Sequence, residues 1–377
     1  MQVHPSNLSS RGGWLVAASL AAAVVATAQT VPALSPNATV IATGFYNPRG
    51  LKFGPDRDLY VAEAGSGGTQ STVGQCEQVP APVGPYSGGY SARISKVDCH
   101  GRRTTVVDGL PSGTSSLPSG DTLGVGDVVF FHGALYAVLA GGGCSHGNPD
   151  VPNGLIRVHR DGTWSMVANL SAFQQANPVA YPDPDDFEPD GTWYSLIVAR
   201  DAFYAVEPNH GEIDQITHDG RISRIIDMSA LPWIGPTAIA FDGNFYVGNL
   251  TPFPIVPGAA EIFEITPGGQ ILSATPGFTA VQGLAFDRRH RLYVLEGTTV
   301  AGFLDSPGTG AVVRVGHSGQ VETVATGLSF PSAMTFGPDG NLYVSNQGYG
   351  FPPALGPMGE IVRIDIDRHD GAWGKGH

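Results

Sequence analysis

The chain has 377 residues, of which 42% are hydrophobic and 14% are charged, and its formal net charge at pH 7 is −13. This excess of carboxylates repels phosphate backbones, so nucleic acid is excluded as a partner, whereas cations, sugars and small neutral ligands are not. The 52 glycines and 30 prolines fall at regular intervals between apolar runs, which indicates many tight turns rather than disorder.

Residues 1–28 have the features of a signal peptide. Arg11 gives a basic start, residues 14–26 are apolar, and Ala26-Thr27-Ala28 supplies the small-x-small cleavage pattern. A retained membrane anchor is the competing interpretation, but the apolar run is shorter than the roughly 18 residues of a spanning helix. We therefore expect a mature chain from Gln29 that is secreted or periplasmic, with no membrane association after cleavage.

A short repeat organises the mature chain. Leu or Phe, then Tyr, then Val or Ala recurs six times, with the Tyr at positions Tyr60, Tyr136, Tyr204, Tyr246, Tyr293 and Tyr343. Each copy stands between tight-turn signals rich in Asp, Asn and Gly, so each unit is predicted to contain two successive hairpins. Six units of four antiparallel strands predict an all-β protein, a six-bladed β-propeller.

The sixth unit lacks a fourth strand, because residues 368–377 form a polar tail. The missing strand is predicted near the N-terminus, where residues 40–45 lead into Pro48 just as residues 323–328 lead into Pro331. Pairing this N-terminal strand into the last blade would close the ring and remove two open sheet edges. Residues 29–367 are therefore predicted to form one domain, and we expect a monomer.

The strand order predicts two unlike faces. Within each unit, the connections between the first and second strands and between the third and fourth are short, and they define a short-turn face. The other connections are long and define a long-loop face, where we expect a small molecule, a glycan or a protein partner to bind. The alternative explanation for the long loops is neutral sequence drift at sites that tolerate insertion.

Five of six equivalent positions carry Glu or Asn three residues after the repeat Tyr, at the long-loop face. The set is Glu63, Glu207, Asn249, Glu296 and Asn346, with Leu139 as the exception. Carboxylate and carboxamide oxygens are the ligands that Ca²⁺ and similar cations prefer, so one interpretation is a metal or ligand ring that holds Ca²⁺ or another divalent cation. The other is that these side chains cap backbone amides at strand ends.

Two histidines follow second strands on the long-loop face. His210 stands three residues after Glu207, and this pair is the candidate for general-base or metal-binding chemistry; His146 is a further ligand-binding candidate. Both histidines could equally be hydrogen-bonded struts. The acidic segment at residues 183–191 does not match the ligand spacing of an EF-hand, and we expect it to be a solvated loop.

The three cysteines fit an exported protein. Cys76 and Cys144 are predicted in long loops of neighbouring blades on one face, whereas Cys99 is predicted in a short turn on the other. A disulfide between Cys76 and Cys144, with Cys99 free, is the pairing this placement favours.

Four motifs resemble those of a known protein family: Glu63-Ala64-Gly65, Cys144-Ser145-His146-Gly147, residues 186–194 and residues 206–211. Over residues 37–367 the sequence is similar to the ScyD/ScyE family of secreted propellers. The resemblance implies an exported six-bladed propeller related in shape to NHL-repeat, gluconolactonase-like and strictosidine-synthase-like proteins, and it brings no established reaction. Gluconolactonase-like relatives hold a divalent cation with Glu, Asn and Asp, and none of the six equivalent positions here is Asp.

Two functions follow from these patterns. The first is an exported binding or scaffold propeller that recognises its ligand on the long-loop face. The alternative is a divalent-metal-dependent hydrolase or a related small-molecule enzyme that uses the Glu and Asn ring together with Glu207 and His210. The propeller fold itself does not decide between them, because it hosts enzymes and passive binders alike.

Overall fold

The computed structural model describes residues 31–184, 187–232, 234–304, 306–316, 319–349 and 356–366. The predicted signal peptide, residues 1–28, and the polar tail, residues 368–377, lie outside this part of the chain. Six antiparallel sheets follow one another along the sequence, and the predicted six-bladed β-propeller is confirmed. No helix in the described residues is long and apolar enough to span a bilayer.

The strands follow one order in every blade. The first strand of the chain, β1 (Ala38–Phe45), belongs to the last blade. Blade 1 contains β2 (Pro48–Phe53), β3 (Leu59–Glu63), β4 (Ser87–Val97), β5 (Arg103–Thr114) and the short β6 (Thr122–Leu123). Blade 2 contains β7 (Val125–Phe131), β8 (Ala134–Leu139), β9 (Gly154–Val158) and β10 (Trp164–Asn169). Blade 3 contains β11 (Ser195–Ala199), β12 (Ala202–Glu207), β13 (Glu212–Ile216) and β14 (Ile222–Asp227).

The second half of the ring repeats this arrangement. Blade 4 contains β15 (Pro236–Asp242), β16 (Asn244–Asn249), β17 (Ala260–Ile265) and β18 (Ile271–Phe278). Blade 5 contains β19 (Val281–Phe286), β20 (Leu292–Glu296), β21 (Gly310–Val315) and β22 (Val321–Leu328). Blade 6 contains β23 (Ala333–Phe336), β24 (Leu342–Asn346) and β25 (Gly359–Ile364), and β1 completes it.

The N-terminal strand closes the last blade as predicted. β1 pairs antiparallel with β25, with Ala38 opposite Ile364 and Phe45 opposite Gly359. Phe45 is fully buried, so the closing strand contributes core as well as hydrogen bonds. The contact joins two ends of the described chain, and it gives blade 6 four strands, as in blades 2 to 5.

The repeated Tyr packs each blade against the next one. In four junctions its ring meets, edge to face, a Phe near the end of the next blade's first strand: Tyr343 with Phe53, Tyr60 with Phe130, Tyr246 with Phe286, and Tyr293 with Phe336, at centroid distances of 4.8 to 5.1 Å. In the other two, Tyr136 and Tyr204 meet Phe203 and Phe245 of the next blade's second strand. The sequence repeat is therefore the repeat of the blade interface.

The first strands of neighbouring blades contact one another around a closed ring and surround the propeller axis. Glycine allows the closest of these approaches. A Cβ on Gly50 would lie 1.8 Å from the carboxylate of Asp127 in the next blade, and a Cβ on Gly126 would lie 2.2 Å from the carbonyl oxygen of Trp193. The axis is consequently narrow in the middle, and any sizeable ligand site must lie at one of its ends or between the loops.

Candidate functional site

The Glu and Asn side chains at the ends of the second strands accept hydrogen bonds from backbone amides. Each amide belongs to the connection that enters the same blade: Tyr46 N to Glu63 (2.7 Å), Thr192 N to Glu207 (2.8 Å), Gly235 N to Asn249 (2.6 Å), Thr279 N to Glu296 (2.7 Å) and Ser329 N to Asn346 (2.8 Å). The shared geometry explains why the same residue types recur at this position, because each one satisfies a buried N–H beside the first strand.

Most of the remaining polar atoms in this set also have partners. The second carboxylate oxygen of Glu63 accepts from the Ser95 hydroxyl, and that of Glu207 accepts from the backbone N–H of His210 at 2.6 Å. The described residues contain no group of three or more His, Cys, Asp or Glu side chains that could hold a metal ion. The five predicted ligands thus each cap a backbone amide of their own blade.

Glu296 has the simplest surroundings of the five. Its side chain is 7% exposed, and the Thr279 amide is its one hydrogen-bond donor among the described residues. Burial raises the pKa of Glu296 to about 7, and the single amide only partly opposes that effect. This carboxyl group therefore changes its charge close to neutral pH.

Glu207 and His210 come together as the sequence suggested. Glu207 Oε2 lies 3.2 Å from His210 Nδ1, and the side-chain amide nitrogen of Gln174 lies 2.8 Å from the same ring nitrogen. Burial acts to lower the pKa of His210, but the carboxylates of Glu207, Glu212 and Glu188 together outweigh it, and the pKa is raised. A carboxylate that holds one ring nitrogen of a histidine orients the other for hydrogen bonding or proton transfer.

Gln174 reaches this dyad from the only α-helix of the described residues, α1 (Leu170–Ala176), in the connection between blades 2 and 3. The Asn169 side chain caps the helix by accepting the Ala172 N–H at 2.9 Å. Gln174 also donates to Glu212 at 3.0 Å, and Glu212 forms an ion pair with Arg224. The chain of contacts thus runs from the helix through the dyad into blade 3.

A pocket of about 360 Å³ opens beside His210 on the long-loop face. Its walls are mostly apolar, and Val179, Phe187 and the cystine of Cys76 and Cys144 are among them. The Phe187 ring meets the His210 ring edge to face at a centroid distance of 5.4 Å. Apolar walls with a few oriented polar groups are typical of small-molecule sites, and this volume lies within their range.

The disulfide that borders the pocket is the predicted one. Cys76 and Cys144 are bonded with their Cα atoms 6.3 Å apart, and Cys99 is free and exposed. The bond ties the long loop of blade 1 to that of blade 2. It therefore fixes one wall of the pocket relative to the His146 turn that follows Cys144.

The prediction that residues 183–191 form a solvated loop is wrong for Glu188, because this residue is only 2% exposed. Glu188 Oε2 lies 2.9 Å from His146 Nε2, while His146 Nδ1 lies 2.6 Å from the Gly142 carbonyl oxygen. A carbonyl has no proton to offer, so Nδ1 carries one, and a second proton is shared between Nε2 and Glu188. Asp190 also turns inward and accepts from the Ser145 amide and hydroxyl, each at 2.7 Å.

The acidic composition of residues 183–191 suggested a solvent-exposed loop. Glu188 and Asp190 instead point inward and contact residues of the Cys144–His146 turn. His146 is thus paired within the protein and fully buried. The motif around His146 was the only sequence signal for this contact, and it named no partner, because His146 and Glu188 are 42 residues apart.

Arg49 lines the axis at its long-loop end, and sequence reasoning missed it. Arg49 pairs with Asp121 at 3.3 Å, donates to the Thr122 carbonyl at 2.7 Å and lies 5.8 Å from the Tyr194 ring centroid. The axial cavity beneath it is only about 40 Å³, with room for little more than a water molecule. Burial raises the pKa of Asp127, a residue that lines this cavity, to about 6.

No family model matches the chain, and no curated protein matches it significantly. Solved structures of similar fold include a structural genomics protein of unknown function from Bacteroides thetaiotaomicron, at 11% identity and a TM-score of 0.55, covering 88% of this chain and 76% of that one. A gluconolactonase from Xanthomonas campestris gives 13% identity and a TM-score of 0.52, covering 87% and 89%. A putative oxidoreductase (glucose dehydrogenase) from Thermus thermophilus gives 17% and 0.52, covering 87% and 99%. At these identities the likeness establishes the propeller fold and no activity.

Proposed function

We propose that this protein is an exported propeller that binds a small molecule in the pocket beside His210. The supporting observation is the position of the His210 ring. Its Nδ1 lies 3.2 Å from Glu207 Oε2 and 2.8 Å from the side-chain amide nitrogen of Gln174, its Nε2 has no hydrogen bond to any described residue, and the ring lines the pocket. A ligand with a largely apolar body and one polar group fits such a site, because His210 would supply the orienting hydrogen bond.

Export is part of the same proposal. A disulfide persists in oxidising compartments such as the periplasm and the extracellular space. The cystine between Cys76 and Cys144 and the sequence of residues 1–28 both support a secreted or periplasmic protein. Membership of the ScyD/ScyE family, implied by the motifs at residues 186–194 and 206–211, also belongs to the proposal.

The second candidate is an enzyme, which the Glu207–His210 dyad favours because a carboxylate-oriented imidazole can act as a general base. The metal-dependent form of this candidate expects Ca²⁺ or another divalent cation at Glu63, Glu207, Asn249, Glu296 and Asn346. The amide caps at all five positions favour the binding protein instead. If the ring nevertheless binds Ca²⁺, the melting temperature will rise with Ca²⁺, and E63Q will weaken that response.

The binding pocket can be tested by a thermal-shift screen of the mature protein against a library of neutral heterocyclic and phenolic fragments. P182W fills the pocket from its exposed rim, and H210A removes the orienting ring. V300W adds the same bulk to an exposed long loop of blade 5 and serves as the control. We expect fragments that stabilise the wild type and V300W to lose most of their effect with H210A and P182W. Equal shifts in all four proteins would contradict the proposal.

A further inference from the structure

The short-turn face has its own concave site at the opposite end of the axis. A funnel of about 440 Å³ is lined by the ends of the first strands of all six blades. The funnel and Arg49 lie on opposite sides of the narrow axial segment. No residue that lines the His210 pocket also lines the funnel. Its volume is within the range of small-molecule sites.

The wall of this funnel is apolar almost throughout. Five of the six blades place a half-buried phenylalanine there, and these are Phe53, Phe130, Phe241, Phe286 and Phe336. One edge of most of these rings packs on a Tyr of the preceding blade, as described above. The rest of the ring surface faces the funnel, where a concave apolar surface shared by six blades favours a ligand with an apolar body.

Lys52 is the only charged side chain that lines the funnel. It is half-buried. Among the described residues, no carboxylate lies within 4 Å of its ammonium group, and no acceptor forms a hydrogen bond with that group. Asp127, which lines the adjoining axial cavity, interacts with Lys52 electrostatically from beyond that distance, and its oxygens accept the Val128 amide at 2.8 Å and the Leu196 amide at 2.9 Å. The funnel therefore contains one cation that has no direct ion pair among the described residues.

Lys96, on the same blade and face, shows the contrast. Its ammonium lies 2.9 Å from Asp58 and 3.3 Å from Asp56, so it is fully paired. An ammonium beside apolar walls that has no direct ion pair attracts an anion more strongly than one in water, because the surrounding low dielectric strengthens the ion pair.

We propose that this axial funnel binds a small monocarboxylate with an apolar aliphatic or aromatic body. The carboxylate pairs with Lys52 Nζ, and the apolar body lies against the phenyl rings. A single ammonium matches one carboxylate better than a dianionic phosphate, which would leave excess charge in an apolar site. The funnel is independent of the His210 pocket, so the two sites are expected to be occupied separately.

The test is titration calorimetry of the mature protein with butyrate, hexanoate and octanoate, and with octanol as the uncharged counterpart of octanoate. We expect one octanoate per chain, with affinity rising about fourfold per added methylene, as burial of each CH₂ group predicts. K52M keeps the length and apolar stem of the side chain and should lower octanoate affinity about tenfold while leaving octanol binding unchanged. K52R should restore octanoate binding, and K96M should behave as the wild type.

Three results would overturn the proposal. The first is equal octanoate affinity in the wild type and K52M, and the second is several weak octanoates per chain, as a detergent would give. The third is loss of octanoate binding in P182W, which would place the ligand in the His210 pocket. Size-exclusion chromatography of ligand-free K52M and wild type is a further check. A dimer would show self-association through the funnel and would count against the proposal.

Discussion

At the scale of single residues, the long-loop face contains several buried acids whose charge depends on their immediate partners. Glu63 and Glu207 each accept more than one hydrogen bond, whereas Glu188 shares a proton with His146. Glu296 has one amide donor and a pKa raised to about 7. Side chains that occupy the same position in the repeat therefore differ in their surroundings, because the number of hydrogen-bond donors around them varies from blade to blade.

Glu296 should make stability depend on pH in a defined direction. Its pKa is higher in the folded protein than in the unfolded chain, so ionisation penalises the fold, and stability falls as the pH rises from about 4.5 to about 7. E296Q keeps an oxygen for the Thr279 amide and cannot ionise. We expect its free energy of unfolding to match the wild type at pH 4.5 and to exceed it by up to about 3 kcal/mol at pH 8.

Urea denaturation at several pH values, with EDTA present, measures this difference. E77Q is the control, because Glu77 is exposed and its replacement should leave the pH profile unchanged. A gap between E296Q and the wild type that stays constant from pH 4.5 to pH 8 would show that Glu296 does not titrate in this range.

At the scale of elements, the propeller depends on contacts between strands that are distant in sequence. The hairpins within each blade form from local turns, but the ring is complete only when β1 pairs with β25. The blade interfaces show the same dependence, since the repeat Tyr of one blade meets a Phe of the next. A single missing strand consequently exposes both a sheet edge and part of a blade interface.

Deletion of residues 29–46 should destabilise the protein strongly. The change removes β1, leaves β25 as an open edge and takes the fully buried Phe45 out of the core. Loss of that aromatic side chain alone is worth about 3 kcal/mol or more, and the lost strand pairing adds to it. Thermal denaturation followed by circular dichroism should show a large fall in melting temperature or no cooperative transition.

Deletion of the tail at residues 368–377 is the matched control, and we expect it to have little effect. If the chain without residues 29–46 melted within a few degrees of the full mature protein, β1 would not be a structural part of blade 6.

At the scale of the whole molecule, the two ends of the axis differ in their chemistry. The long-loop end is lined by Arg49 and its partners, and the ligand pocket on that face is built from loops, α1 and the disulfide. The short-turn end is an open apolar funnel whose one lining cation, Lys52, has no direct ion pair among the described residues. One rigid ring thus supports two sites, and the mobility of the loops should affect only the first.

Removal of the disulfide should destabilise the fold and loosen the His210 pocket without changing the funnel. The bond closes a loop of 68 residues, for which the chain-entropy estimate is about 4 kcal/mol of stability. We expect the double variant C76S/C144S to lose roughly this amount in urea denaturation, with C99S unchanged. Mass mapping without reduction should find Cys76 linked to Cys144; a bridge involving Cys99 would contradict the strand order.

The fold class, the closing strand and the cystine could all be predicted from the sequence. Each of these rests on a pattern that is local or periodic: turn residues at fixed offsets, the repeated Tyr, and the strand order that assigns every loop to a face. It also raised amide capping as one explanation of the Glu and Asn ring, which the contacts of all five residues now favour. The pairing of Glu207 with His210 was within reach because they are three residues apart.

The long-range partner of each polar side chain became known only from the folded arrangement of the blades. The sequence could not match Glu188 with His146, Gln174 with His210 or Arg49 with Asp121, because these residues belong to different blades and connections. It also could not show that no carboxylate of the described residues lies within ion-pair distance of Lys52. Such contacts depend on how closely neighbouring blades approach one another around the axis, a distance set by the packing of the whole ring and by no local pattern.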